Sequence, residues 1–405
     1  MKKFIMYGAG NIGRGFIGPT FAFSGYSVGF IDINMKVISR LNQDGKYPVE
    51  VVSNDGVETL NVTDVYGIDG NDLEKVSEEI ASCDIMATAI GVNVLKFIAK
   101  PIAMGIKKRL DRNGKPLNII ICENLIGADE FLKGLIKTQI PEYSDRIENE
   151  VGFVEASIGR MVPALSKEEA EKNPLRICVE PYNILPVDKN AFKGEIPNVK
   201  NLYPYAPFNL FIQRKLFLHN MSHALTAYLG NFRNYQYIYQ AVADYDIKYA
   251  AFKALTQSAQ AVAKENGAEV DFLLSHGENL LYRFANKALG DTVERVGKDT
   301  IRKLGKNDRL IGAINLCEKH NVDCSFLCIG VAAGMFFAPK EDLASVELSN
   351  YAKENGVIKT LEKYCEYHGE NVKLIERLYQ MFNDGASIPE VIDYCDVLSG
   401  KTIRV

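Results

Sequence analysis

The stretch Lys3-Phe4-Ile5-Met6-Tyr7-Gly8-Ala9-Gly10-Asn11-Ile12-Gly13-Arg14-Gly15 runs from a short apolar segment into a glycine-rich turn, and an apolar helical pattern follows through Phe23. Strand, Gly-x-Gly-x-x-Gly turn and helix, in that order, are what a dinucleotide-binding βαβ unit requires. Gly8 permits the tight turn, Gly10 lets a pyrophosphate approach the backbone, and Gly13 lets the helix pack on the strand. The helix start, at Asn11 and Ile12, supplies N–H groups for the phosphates. A second apolar run, Val28 to Ile31, ends in Asp32. An acid about 20 residues beyond the glycines can bind both ribose hydroxyls and repels a 2′-phosphate, so the expected cofactor is NAD rather than NADP.

Two further runs read as buried parallel strands: Asp84 to Gly91, ending in small residues, and Leu117 to Cys122, ending at Glu123-Asn124. Ligands of a doubly wound sheet bind outside the carboxyl ends of its strands. That rule puts Thr88, Gly91 and Asn124 beside the cofactor or substrate. From Val151 to Gly194 the pattern has an antiparallel flavour, with a strand over Leu175 to Glu180. Beyond Pro197 and the Pro204-Tyr205-Ala206-Pro207 loop, helical periodicity dominates to the end. The expected fold class is therefore α/β: a Rossmann-type dinucleotide-binding domain over residues 1–195, and a mainly α-helical domain over 196–405 that carries substrate and catalysis.

Composition narrows the partners. The 405 residues are enough for two domains. With 47 Lys and Arg against 51 Asp and Glu, the net charge of −4 gives no electrostatic reason to expect nucleic acid or an anionic membrane, so a small molecule is the default partner. No apolar run reaches the eighteen or so residues that span a bilayer, and glycines and Arg14 interrupt the apolar start, which argues against export. A cytoplasmic enzyme is the expectation; composition says nothing about its oligomeric state. The eight cysteines sit mostly in apolar surroundings and read as buried thiols. Cys317, His320, Cys324 and Cys328 raise a zinc question, but their spacing is not that of a zinc knuckle, and no metal is expected.

The candidate for chemistry is Lys215-Leu216-Phe217-Leu218-His219-Asn220-Met221-Ser222-His223. At roughly 100° per residue, Lys215, Asn220 and His223 fall on a polar arc, while Leu218, Leu225 and Leu229 form an apolar stripe opposite. The stripe buries against the protein and leaves the arc to a cleft or to water.

Taken with Cys122-Glu123-Asn124 and Arg283-Phe284-x-Asn286, the glycine turn and Lys215-x4-Asn220-x2-His223 resemble the polyol-specific long-chain dehydrogenase/reductase family. Versions of Val151-Gly152-Phe153-Val154, Val187-Asp188-Lys189, Val293-Glu294-Arg295-Val296-Gly297 and Arg302-Lys303-Leu304 bring the chain near the branch acting on a phosphorylated polyol. The resemblance implies zinc-independent hydride transfer with Lys215 as acid/base, Asn124 and Asn220 holding the reacting oxygen, and His223 orienting a polyol phosphate or sugar phosphate. A lysine can take a hydroxyl proton once desolvation or a nearby cation lowers its pKa, and amide N–H groups can stabilise the developing alkoxide. Two departures fall near the expected substrate pocket: Gly159 stands where an Asp before Arg160 is common, and Met221-Ser222 replaces smaller residues. Among the cations from Arg295 to Arg309, most share a face if the segment is one helix, which Gly297 and Gly305 make doubtful. Arg295 and Arg302 are the candidates for the substrate phosphate.

Overall fold

The apolar run at the start of the chain becomes strand β1 (Lys2–Tyr7), and the run after the glycine turn becomes β2 (Tyr26–Asp32). Strands β3 (Lys46–Ser53), β4 (Gly56–Thr63), β5 (Val65–Asp69), β6 (Ile85–Thr88), β7 (Leu117–Ile121) and β8 (Val151–Glu155) follow in order. In this computed structural model, which describes residues 1–163 and 167–400, six of them form one sheet in the order β5-β2-β1-β6-β7-β8. Every pair in it is parallel. Side chains alternate between its faces, as the period of two requires. Phe4, Met6, Val28, Phe30, Ala87, Ile120 and Val154 enter one buried cluster, while Ile5, Tyr7, Ile31, Met86, Ile119, Ile121 and Phe153 enter the other. Helices cover both clusters, so the strands are apolar throughout.

The chain order reverses direction at β1, whose neighbours are β2 and β6. The register there pairs Tyr7 with Ile31 and with Thr88, Thr88 with Ile121, and Ile121 with Glu155. One row at the carboxyl edge of the sheet thus gathers the glycine turn, Asp32, Thr88, the Glu123-Asn124 loop and Glu155.

The antiparallel character expected over Val151–Gly194 is confined, among the described residues, to one isolated bridge between Ala156 and Val187. β8 and β9 (Ile177–Val179) pair in parallel with β7 and β3, and β10 (Leu185–Asp188) pairs in parallel with β11 (Leu202–Tyr205). The antiparallel ladder is β3 with β4 instead. Pro204 and Tyr205, expected in a loop, instead end β11, which is an edge strand of a two-stranded sheet, where a proline is tolerated. The chain divides into Met1–Phe208 and Asn209–Val405. A division at 195 would separate β10 from β11.

The second unit is helical. Asp244 caps the helix Tyr245–Asn266 through Asp246 N and Ile247 N, and Gly267 ends it with φ +60°. Ser325–Gly334 is buried at every residue, as an element surrounded by other helices must be. No helix among the described residues is long and apolar enough to cross a membrane.

Candidate active site

In the first unit, the glycine turn has the geometry its sequence demands. Gly8 has φ +111°, and a Cβ there would lie 2.5 Å from Ala89 O. A Cβ on Gly13 would lie 2.0 Å from Gly8 O, whereas one on Gly10 would meet nothing within 4 Å. Gly10 and Asn11 are exposed and Ile12 is half-buried. The segment beyond is not a plain α-helix: Gly13–Ile17 is a π turn, closed by Gly18 N to Gly13 O, before α-helix resumes over Gly18–Ala22. Asp32 is tied to the turn, since Oδ2 accepts from Ala9 N at 2.8 Å and Oδ1 from Asn34 N at 2.9 Å.

Along the same edge, Thr88 is buried and its Oγ1 has no hydrogen-bond partner among the described residues. Gly91 has φ +89°, and the Ile90 and Gly91 N–H groups donate to the two oxygens of Glu123 at 3.0 and 2.8 Å. The buried Glu123 thus joins the end of β6 to the loop that carries the exposed Asn124. Glu155, at the end of β8, accepts from Gly127 N at 3.3 Å. Burial, aided by Asp129, pushes its carboxyl up to about 7.

In the second unit, Arg214–Asn220 is also a π segment, leading into the α-helix Met221–Phe232. A π turn widens the helix and displaces carbonyls from their usual partners; here Ser258 Oγ donates to Phe217 O at 2.7 Å. The angular positions expected of an ideal α-helix therefore do not hold, yet the division of faces does. Leu218, Leu225 and Leu229 are fully buried, while Lys215, Asn220 and His223 are each half-buried. The His223 ring stacks on Phe284 at 4.5 Å, and its Nε2 lies 3.5 Å from Asp291 Oδ2. Burial, with the Arg283 cation nearby, holds His219 well below the usual imidazole range. Lys215, Asn220 and His223 thus belong to one segment of the helical unit, and Asp32, Thr88, Gly91 and Asn124 to one edge of the sheet in the other.

This architecture is matched along nearly the whole chain by known proteins. A model of the mannitol dehydrogenase Rossmann domain matches residues 2–201, and one of the mannitol dehydrogenase C-terminal domain matches 208–390. The chain belongs to the mannitol dehydrogenase family. Membership makes it an oxidoreductase acting on CH–OH groups. A mannitol-1-phosphate 5-dehydrogenase of Buchnera aphidicola is 35% identical over 366 residues, covering 90% of this chain and 94% of that protein. One of Caldanaerobacter subterraneus is 34% identical over 387 residues, covering 94% and 98%. Among solved structures, a substrate-free D-sorbitol dehydrogenase aligns with TM-score 0.81 at 14% identity, over 96% of this chain and 94% of that one. Pseudomonas fluorescens mannitol 2-dehydrogenase, in a ternary complex with NAD and D-mannitol, aligns with TM-score 0.73 at 15% identity, over 99% and 95%. At such identities the two structures speak for the fold.

Within this mannitol dehydrogenase family fold, several expectations change. Met221 and Ser222 are fully buried, and Ser222 Oγ donates to Leu218 O at 2.6 Å, so this departure lies in the core of the helical unit rather than in a pocket lining. A Cβ on Gly159 would come within 3.4 Å of the Tyr182 ring. The cations from Arg295 to Arg309 do not share one face, because the segment breaks into Val293–Gly297 and Thr300–Lys303, with Asp299 between them at φ +66°. Arg295 and Arg302 are about half exposed, and both already have carboxylate partners: Asp291 for the first, Asp299 and Asp308 for the second. Cys317, Cys324 and Cys328 are buried, and His320 lies 2.6 Å from Glu265. Among the described residues no group of His, Cys, Asp or Glu is arranged to hold a metal.

Lys303, one of the cations between Arg295 and Arg309, is buried, with Nζ donating to Val296 O at 2.6 Å. Burial, with Arg309 and Arg302 nearby, lowers it to about 7. An unfolded lysine keeps its proton to about pH 10.4. The cost of burying the charge is therefore fully present below about pH 7 and is relieved as pH rises toward the unfolded value. Lys303→Met should exceed the wild type in stability near pH 6 by up to about 4–5 kcal/mol, with the gap closing toward pH 10. Urea unfolding of both proteins across that range measures the effect, and a gap independent of pH would mean that Lys303 does not titrate there.

Proposed function

We propose that this protein is an NAD-dependent polyol-phosphate dehydrogenase that interconverts D-mannitol 1-phosphate and D-fructose 6-phosphate. The observation that carries this reading is the likeness, over more than nine-tenths of their length, to relatives named mannitol-1-phosphate 5-dehydrogenase. The residues at the sheet edge fit NAD. Gly10 has room for close approach of a diphosphate, Asp32 offers its carboxylate to ribose hydroxyls, and the buried Thr88 hydroxyl has bonding capacity left. NAD, when bound, supplies the acceptor for the hydride leaving carbon. Lys215, unprotonated, takes the alcohol proton, and the amide N–H groups of Asn124 and Asn220 donate to the oxygen as negative charge develops on it. This donor set can act without a metal.

Asp32→Ala should narrow the preference for NAD over NADP, because the repulsion of a 2′-phosphate is lost. It should also weaken both dinucleotides, since Ala9 N and Asn34 N lose a charged acceptor. Equal efficiency of the wild type with NADP would count against the role given to Asp32.

The phosphate is assigned to Arg295 and Arg302, each of which reaches it by exchanging a carboxylate partner. Arg302→Ala should lower efficiency on fructose 6-phosphate roughly tenfold or more, as the loss of a charge-assisted contact implies, and scarcely change activity on free fructose. An equal loss on both sugars would give the arginine a structural task. The carboxylates already on both arginines favour a second reading, in which a free polyol is the substrate. NADH consumption by the purified protein with a panel of phosphorylated and free ketoses separates the two: preference for free fructose overturns the phosphate, and no turnover with any of them overturns both.

A further inference from the structure

His223 is held on one face by Phe284, whose ring is stacked at an interplanar angle of 13°. Its Nε2 is buried and makes no hydrogen bond to the described residues. The carboxylate facing it is that of Asp291, 3.5 Å away, with the two side chains 15% and 11% exposed. That separation exceeds the roughly 2.7–3.2 Å of a formed bond. A buried ring nitrogen without a partner is costly, and bonds of this kind often tighten only when substrate is present. Asp291 is well anchored for the purpose: its carbonyl accepts from Ile238 N at 2.9 Å, Val293 N bonds Gln236 O at 2.9 Å, and Tyr237 bridges Thr292. Its Oδ1 accepts from Arg295.

We infer that Asp291 is a positioning residue for His223: it accepts from Nε2–H, holds the ring in that tautomer, and leaves Nδ1 as the nitrogen that accepts from a substrate hydroxyl. The two ring nitrogens of a neutral imidazole have opposite roles, and the partner of one decides the role of the other. Burial keeps the ring below the usual imidazole range, with Arg295 and Lys303 acting in the same direction and Asp291 against them, which suits a neutral ring. A side chain whose Nε2 is sealed in this way can reach substrate only through Nδ1. Arg295, bonded to the same carboxylate, acts on His223 as well, so a substitution there is not a clean probe of phosphate binding.

The inference rests on His223 orienting substrate, and the test separates the two ideas. Ring-nitrogen NMR of the full chain labelled at histidine, with the signal assigned through His223→Gln, should find the wild-type proton on Nε2 and Nδ1 bare. A proton on Nδ1 in the wild type overturns the inference without recourse to any variant. Asp291→Asn keeps an acceptor oxygen and should retain the tautomer. Asp291→Ala should lose it and raise KM for the ketose roughly tenfold, with KM for NADH unchanged; a retained Nε2–H tautomer in that variant also overturns the inference. A switched ring with unchanged KM and kcat supports Asp291 as the holder of the ring and removes His223 from the reaction.

Discussion

Lys215→Ala is expected to lower turnover by about 10²-fold or more, the usual cost of removing a general acid–base group, while NADH still binds. The expectation rests on where the segment lies. Leu218, Leu225 and Leu229 are fully buried, which fixes the helix against the unit, and the π turn through Arg214–Asn220 is held by Ser258 from a neighbouring helix. Lys215, Asn220 and His223 share the half-buried side. An alanine at 215 removes the proton acceptor and leaves those supports in place. Steady-state rates in both directions, beside a fluorescence titration with NADH, provide the measurement. Near-normal turnover would make Lys215 an ordinary surface lysine. Asn220→Ala and Asn124→Ala should lower turnover too, through lost stabilisation of the alkoxide.

Gly13→Ala should abolish NADH binding and destabilise the first unit by about 1–3 kcal/mol or more, the range of overpacking in a well-packed site. The new Cβ would lie 2.0 Å from Gly8 O and 3.3 Å from Met6 Cγ. The obstacle is backbone that cannot easily give way. Gly8 N is bonded to Ile31 O at 2.8 Å, its φ is +111°, and the Ala89 carbonyl lies against its other side. Gly10→Ala is the control, because its Cβ meets nothing within 4 Å. That variant should keep its unfolding midpoint and lose affinity for NADH, since the methyl occupies the path by which a diphosphate approaches the backbone. A stable Gly13→Ala that binds NADH normally would disprove the close approach at this turn.

Much of the first unit is written in short-range pattern. Four apolar runs that alternate between the two faces, a glycine turn and a terminal acid suffice to place β1, β2, β6 and β7, because strand period and turn sterics are properties of a few adjacent residues. The Lys215 segment was legible for the same reason, since its buried and half-buried sides follow from residue type.

What local pattern does not contain is who pairs with whom. The β3–β9 and β10–β11 ladders, and with the latter the division after Phe208, depend on partners that are not neighbours in the chain. The π turns at Gly13–Ile17 and Arg214–Asn220 have no signature in helix propensity; they depend on contacts such as that from Ser258. Lys303 is one cation among several until packing buries it, and Asp291 acquires a purpose only when folding brings its carboxylate to His223. The sequence alone determined the parallel sheet, the glycine turn and the polar face of the Lys215 segment, all of which are set by neighbours in the chain. Only the tertiary structure decided the charge states and partners of buried groups, because desolvation and pairing belong to the packed interior and not to any residue by itself.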